Sequence, residues 1–207
     1  MIATDVFWNR IARKYAANPI KDIAGYNRTI ERTRAHLSGK DHVLEVGCGS
    51  GSTALLLATD VARMTASDIS SEMIAIGQEK AAAQGTSNVD FVCATPFDDA
   101  FSEAPYDAVL AFNFLHLTPD VTATLQRLAQ LLRPGGLLIS KTANIGGLRR
   151  LALQPLIGVM QLFGKAPSGL SFFTPKQLET MMRKAGFEIV VSEFHGDSRP
   201  FIVAKKL

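Results

Sequence analysis

The residues best suited to chemistry stand in one short run, Glu45-Val46-Gly47-Cys48-Gly49-Ser50-Gly51-Ser52, with a second acid, Asp68, farther along. Glycines at 47, 49 and 51 let the backbone adopt positive φ and approach a ligand closely, and a helix beginning at Ser52 presents free N–H groups to it. Asp68 follows after roughly 20 residues, at the expected end of the next strand, where a carboxylate accepts hydrogen bonds from both hydroxyls of a ribose. Loop and acid together point to a nucleoside ligand, although the loop alone reads equally as a tight turn that merely needs glycine. Two features separate it from a dinucleotide fingerprint: the sixth position is Ser52, and Glu45 places a negative charge where a pyrophosphate would be repelled and a cationic group tolerated.

These residues need elements to hold them. Short apolar runs at His42–Val46, Arg63–Ser67, Val89–Cys93, Ala108–Phe112 and Leu137–Lys141 alternate with helical patterns at Ser52–Ala58, Ser71–Gln84 and Pro119–Leu132. That alternation predicts a parallel sheet with crossover helices. Two amphipathic helices precede it, Asp5–Ala16 and about Ala24–Leu37, the second ended by Ser38-Gly39. Thr118-Pro119 reads as a cap before a first-turn proline, and Thr174-Pro175-Lys176-Gln177 as a capping box opening a helix that ends at Gly186. Phe187–Phe194 and Phe201–Lys205 are joined by His195–Pro200, too short for a crossover, so they pair antiparallel.

On these residues the chain resembles the class I S-adenosylmethionine-dependent methyltransferases. Val43–Gly51 is similar to that family's first motif and Asp68-Ile69-Ser70-Ser71-Glu72-Met73 to its second. Tyr106–Leu110 with Asn113-Phe114-Leu115-His116 resembles its fourth strand and exit loop, and Leu132–Leu138 the turn into its fifth. The resemblance implies a Rossmann-like, seven-stranded, mostly parallel α/β sheet with helices on both faces and an antiparallel C-terminal hairpin strand. It further implies that S-adenosyl-L-methionine is used and S-adenosyl-L-homocysteine released. Glu45 and the backbone of Gly47, Cys48 and Gly49 would hold the methionine end, Asp68 the ribose, and Ile69 and Met73 the adenine face, with Ser50, Gly51, Ala94 and, at the exit loop, Asn113 as further cofactor-binding residues. Met73 reads alternatively as core. Where relatives often place an acid after the third strand this chain has Thr95, whose hydroxyl accepts the same bond, with Asp98 or Asp99 as substitutes.

A sulfonium methyl is already activated, so transfer needs chiefly alignment and exclusion of water. The exit loop after Phe112 should face the methyl. His116 is the candidate general base toward an acceptor hydroxyl or thiol, or else a structural histidine. By analogy the N-terminal helices form a lid that brings Tyr15 or Tyr26 to the pocket; plain packing is the other reading, and the one preferred for Trp8 and Tyr15. Leu148–Phe163 is almost wholly apolar apart from Arg149, Arg150, Gln154 and Gln161, and Pro155 and Gly158 are expected to interrupt any helix there. It reads as a lid over a hydrophobic acceptor pocket, as a dimer contact or as a surface touching membrane.

Composition narrows the partners. Lysine and arginine exceed aspartate and glutamate only by 22 to 19 and are scattered, so nucleic acid is not expected. No apolar run spans a membrane and the N-terminus lacks a signal peptide's apolar stretch, leaving peripheral contact with a membrane at most. The two cysteines, Cys48 and Cys93, form no disulfide framework or metal spacing, and a cytoplasmic setting is expected. The chain is read as one domain, with a lid over 1–40, a cofactor-binding core over 41–142, an apolar insertion over 143–173 and a terminal helix and hairpin over 174–207. The expected activity is methylation of a small, apolar molecule by a monomer or homodimer; the alternative is a non-catalytic sensor or partner subunit that binds S-adenosylmethionine. A nicotinamide-dependent oxidoreductase is disfavoured by Ser52 and Glu45, and a base amino methyltransferase by the lack of a Pro-Pro-Tyr or Pro-Pro-Phe signature.

Overall fold

Near-continuous apolar runs are stable only when covered on both sides, and that requirement organises the chain. The computed structural model describes residues 4–101, 104–143, 146–163, 165–167, 169–195 and 199–207, without the side chains of 148–150, 152, 153 and 162. The strands are β1 His42–Val46, β2 Arg63–Asp68, β3 Val89–Cys93, β4 Tyr106–Phe112, β5 Leu132–Lys141, β6 Phe187–His195 and β7 Arg199–Lys206. They form one seven-stranded sheet in the order β3-β2-β1-β4-β5-β7-β6. The first five run parallel, and β7 enters antiparallel between β5 and β6. The order reverses between β1 and β4, which opens a crevice at the carboxyl ends of those two strands.

The helices are α1 Thr4–Ala17, α2 Ile23–Arg34, α3 Ser52–Leu57, α4 Ser71–Gln84, α5 Val121–Leu131, α6 Leu148–Leu162 and α7 Pro175–Lys184. Alternate residues of each strand divide between two cores. Leu44, Val46, Val109 and Leu138 pack with Leu125 and Leu128 of α5 and Leu178 and Met182 of α7. Val43, Ala108, Leu110 and Ile139 pack on the other face with Leu55 and Leu57 of α3, Ile74 of α4 and Ile30 of α2. Leu44 and Leu110 are wholly buried, each worth about 1.5–3 kcal/mol of transfer free energy.

Three local expectations are corrected. Helix α5 starts at Val121, capped by Asp120, whose side chain accepts from the Ala123 N–H at 2.9 Å, while the Thr118 hydroxyl donates back to the Leu115 carbonyl at 2.9 Å. Asp120 competes successfully because its carboxylate is the stronger acceptor at the helix N-terminus. Pro155 does not interrupt α6 but lies inside it. Having no N–H, Pro155 cannot donate to the Leu151 carbonyl one turn earlier, and this part of the helix is exposed, with Leu151 75% so. β5 begins at Leu132, five residues early, because the chain bulges against Tyr106 before pairing regularly from Leu137. The capping box of α7 is present as written, with both reciprocal bonds. The expected turn residues Gly196, Asp197 and Ser198, and Asn144 at the start of the insertion, lie outside the described residues.

The N-terminal helices reach the sheet through side chains that periodicity does not single out. Asn9 Oδ1 accepts from the Ser70 hydroxyl at 2.7 Å and the Glu72 N–H at 3.2 Å, so α1 supplies part of the cap of α4. Ala12 packs on Met73 and Ile76, and Arg13 makes a bidentate pair with Glu79 at 2.6 and 2.7 Å. Beneath the glycine loop, the Phe91 ring occupies the space that a Cβ on Gly51 or Gly77 would fill; at Gly51 its nearest atom would stand 2.5 Å away. Gly77→Ala must displace that ring, so it should cost about 1–3 kcal/mol and lower the thermal midpoint by several degrees. An unchanged or raised midpoint in a calorimetric melt would show that the packing is looser than this.

Candidate functional site

The loop after β1 takes its shape from three left-handed glycines, with φ of 65° at Gly47, 54° at Gly49 and 73° at Gly51. Gly47 lies against the Phe114 ring and Gly51 against Phe91, each 2.5 Å from where a Cβ would stand. Gly49 faces open space, with Tyr15 Cε1 the nearest atom at 3.9 Å. Behind the loop, Lys80 Nζ donates to the Ser50 carbonyl and to the Ser50 and Ser52 hydroxyls at 2.9–3.1 Å. Asp68 fastens the front: one carboxylate oxygen accepts from the Gly49 N–H and the other from the Ser70 N–H, both at 2.9 Å. Burial raises its pKa, against the pull of these backbone donors.

Glu45 lies at the floor, 2% exposed, with Oε2 lacking any hydrogen-bond partner. Burial, then the nearby Asp68 charge, push its carboxyl up to about 8, against a hydrogen bond from the Ala54 backbone. A buried carboxylate oxygen that no protein group satisfies suits a ligand carrying a cationic donor. That is the test an S-adenosylmethionine site has to meet, because its amino acid end carries an ammonium group. The residues present fit it.

Above the loop opens a cavity of about 1150 Å³, larger than the ~300–1,000 Å³ of most single-ligand pockets. Glu45, Gly47, Cys48, Gly49, Ser50, Asp68, Ile69, Met73, Ala94, Thr95, Asn113, His116, Tyr15 and Tyr26 all line it. Gly51 is not among the described lining residues; it sits against Phe91 and Gly77. Met73 combines both readings, 2% exposed against Ala12 yet bordering the cavity. The Thr95 hydroxyl donates to Asp98 Oδ2 at 2.9 Å and accepts from the Phe97 N–H at 3.4 Å, which leaves one lone pair to accept, and Asp98 and Asp99 are not among the described lining residues.

The other side of the cavity is built by the exit from β4. Asn113 has φ 51°, rare for a residue with a side chain, and its N–H donates to the Lys141 carbonyl at 2.6 Å. His116 lies on the 3₁₀ turn Leu115–Leu117, its Nδ1 2.9 Å from the Thr142 hydroxyl. Burial, then the charge of Arg199, bring its pKa down to about 4, so the imidazole is neutral near pH 7. Trp8 reaches the cavity, edge-on to Tyr15 at 6.1 Å, as does the connection Asn18–Asp22. Helix α6 contributes none of the described lining residues; Ala143 and Gly169 on its two flanks do. Arg199 and Lys141 line the cavity and were not anticipated. The signal available for Arg199 was the antiparallel hairpin itself, since a strand entering that way begins at the edge where its parallel neighbours end.

Comparison with known proteins agrees with this geometry. A family described as "Methyltransferase domain" matches residues 9–192. The ubiquinone biosynthesis O-methyltransferase of Bordetella pertussis is 30% identical over 180 residues, 84% of this chain and 70% of the relative. That of Xylella fastidiosa is 32% identical over 164 residues, 75% and 64% of the two chains. The chain thus spans about two thirds of the length of these relatives. Among solved structures, magnesium protoporphyrin IX methyltransferase from Synechocystis with bound SAH superposes with a TM-score of 0.73 at 22% identity, covering 99% of this chain and 95% of that one.

Two measurements follow from the acids. Asp68→Ala should weaken S-adenosylhomocysteine binding at least tenfold in calorimetric titration, the scale of one hydrogen bond to a charged group; retained affinity would remove Asp68 from the site. Glu45, with its pKa raised when folded, binds a proton that the unfolded chain has already released. Its contribution to stability is therefore full below about pH 4.5 and is lost as pH rises toward about 8. The unliganded protein should melt progressively lower across that range, and Glu45→Gln should flatten the decline; an equal slope in the variant would contradict the assignment.

Proposed function

The chain belongs to the class I S-adenosylmethionine-dependent methyltransferases, and on that premise we propose that it methylates an oxygen of a small, largely apolar molecule. The observation that carries the proposal is the division of one cavity into a side bearing the buried acid Glu45 and a side bearing the neutral imidazole of His116, with the apolar Phe97, Phe112, Phe114 and Leu117 among its walls. The names of the curated relatives, both O-methyltransferases, support oxygen as the accepting atom.

S-adenosylmethionine supplies a methyl on a positively charged sulfur, ready for displacement. Glu45 and the backbone at Gly47–Gly49 would hold its amino acid end, Asp68 its ribose, Ile69, Met73 and Ala94 the faces of its adenine, and Thr95 the exocyclic amino group. Trp8, Tyr15 and Tyr26 close the roof with the Asn18–Asp22 connection, excluding water and strengthening electrostatic contacts inside. His116, held by Thr142, takes the proton from the acceptor hydroxyl. An imidazole kept neutral well below pH 7 is in the basic form throughout the physiological range.

Transfer of labelled methyl from S-adenosylmethionine to a panel of phenols, catechols and apolar carboxylic acids, followed by solvent extraction, tests the reading. Label is expected in at least one hydroxyl or carboxyl acceptor. No transfer while S-adenosylhomocysteine still binds would return the binding-only alternative. His116→Asn should lower kcat about 10²–10⁴-fold. The parent's kcat/KM should show no histidine limb near pH 6.5, because the imidazole titrates at about 4. A limb at the ordinary histidine value would remove His116 as the base.

A further inference from the structure

We propose that Arg199, seated with Asn113 and His116 at the carboxyl edge of β4 and β5, is the acceptor-recognition residue and binds an acidic oxygen, so that the acceptor is an apolar carboxylic acid, phenol or enol. The inference deepens the proposed methyltransferase reading and rests on it.

Arg199 is the first residue of β7. Antiparallel pairing sets Phe201 opposite Lys141, the last residue of β5, so Arg199 extends two residues beyond the end of that strand, over the crevice. Its Nη1 donates to Asn113 Oδ1 at 3.2 Å, and the guanidinium lines the same cavity as His116. Asn113 holds that position with a left-handed backbone, which asparagine adopts more readily than most side-chain-bearing residues. Among the described residues this five-donor fork has Asn113 Oδ1 as its hydrogen-bond partner, and such a fork matches an oxygen anion in a bidentate way.

Among the described residues, the cavity's acids are elsewhere or engaged. Glu45 and Asp68 lie on β1 and β2, and β7 is three strands from β1, roughly 14 Å across the sheet. Asp22 and Asp120 also line the cavity, but their carboxylates accept from the Gly25 and Ala123 N–H groups as caps of α2 and α5. Charge is therefore arranged in opposite senses at the two sides, with carboxylates where a cationic ligand would sit and a guanidinium where the acceptor enters. An acceptor presenting an acidic oxygen is drawn to the second side and repelled from the first. Arg199 also disfavours a proton on His116, so the imidazole beside the bound oxygen is uncharged and Arg199 is the cation that faces it.

The test uses the full chain saturated with S-adenosylhomocysteine and three probes of one shape, 2-naphthoate, 2-naphthol and the neutral 2-naphthamide, titrated calorimetrically. The parent should bind naphthoate or naphthol at least tenfold more tightly than naphthamide; preference for naphthoate assigns the site to carboxylates, preference for naphthol to phenols. Arg199→Gln should reduce that preference to less than threefold with S-adenosylhomocysteine affinity unchanged within twofold, and Arg199→Lys should restore part of it. Equal binding of the three probes to the parent, no binding of any of them at millimolar concentration, or a preference that survives in Arg199→Gln would overturn the assignment. Failure of the parent to bind S-adenosylhomocysteine would instead overturn the methyltransferase reading on which it rests.

Discussion

The clamp made by Asp68 is the interaction on which the rest of the site depends. One oxygen holds the Gly49 N–H in the loop of β1 and the other the Ser70 N–H at the start of α4, so a single side chain ties the front of the loop to that helix, as Lys80 ties its back. Ser70 in turn caps α4 through the Met73 N–H and donates to Asn9, which brings α1 over the cavity. Floor, rim and roof thus hang from one carboxylate, positioned by the parallel pairing of β1 with β2. Its partners are backbone groups, whose positions the strands already determine.

That floor carries an unfavourable charge arrangement which the fold does not relieve. The Asp68 charge adds to burial in raising the pKa of Glu45, and Glu45 keeps an unsatisfied oxygen. A protein selected only for stability would replace such an acid with an apolar residue of similar size. Its retention in a β1 whose other residues are apolar or at the strand's start is a stability cost borne by a ligand site.

Much of this was legible in the residues. Strong alternation of apolar runs with helical patterns placed the strands, and the short link before Pro200 forced the antiparallel hairpin. The glycine loop and Asp68 were readable because their chemistry is local: a turn, a helix start and an acid at a strand end. What escaped was set by distance in sequence. Arg199 meets Asn113 across 86 positions and Asn9 meets Ser70 across 61, so no window of residues contains either pair. Helix α6 was misjudged for a different reason: Pro155 carries a strong local preference against helix, yet the helix continues through it.

The Phe114 ring occupies the place of a side chain at Gly47, and so joins the loop after β1 to the turn that bears His116. The two halves of the cavity are consequently not interchangeable parts. Transplanting the Asn113–Leu117 turn from a relative with a different acceptor would carry along whichever residue stands at 114, and with it the wall against which the glycine loop rests. A smaller residue there would leave a void under Gly47, and a β-branched one would crowd it. Acceptor preference in this scaffold is more safely redrawn from β7 and the Asn18–Asp22 connection, which border the cavity without supporting that loop.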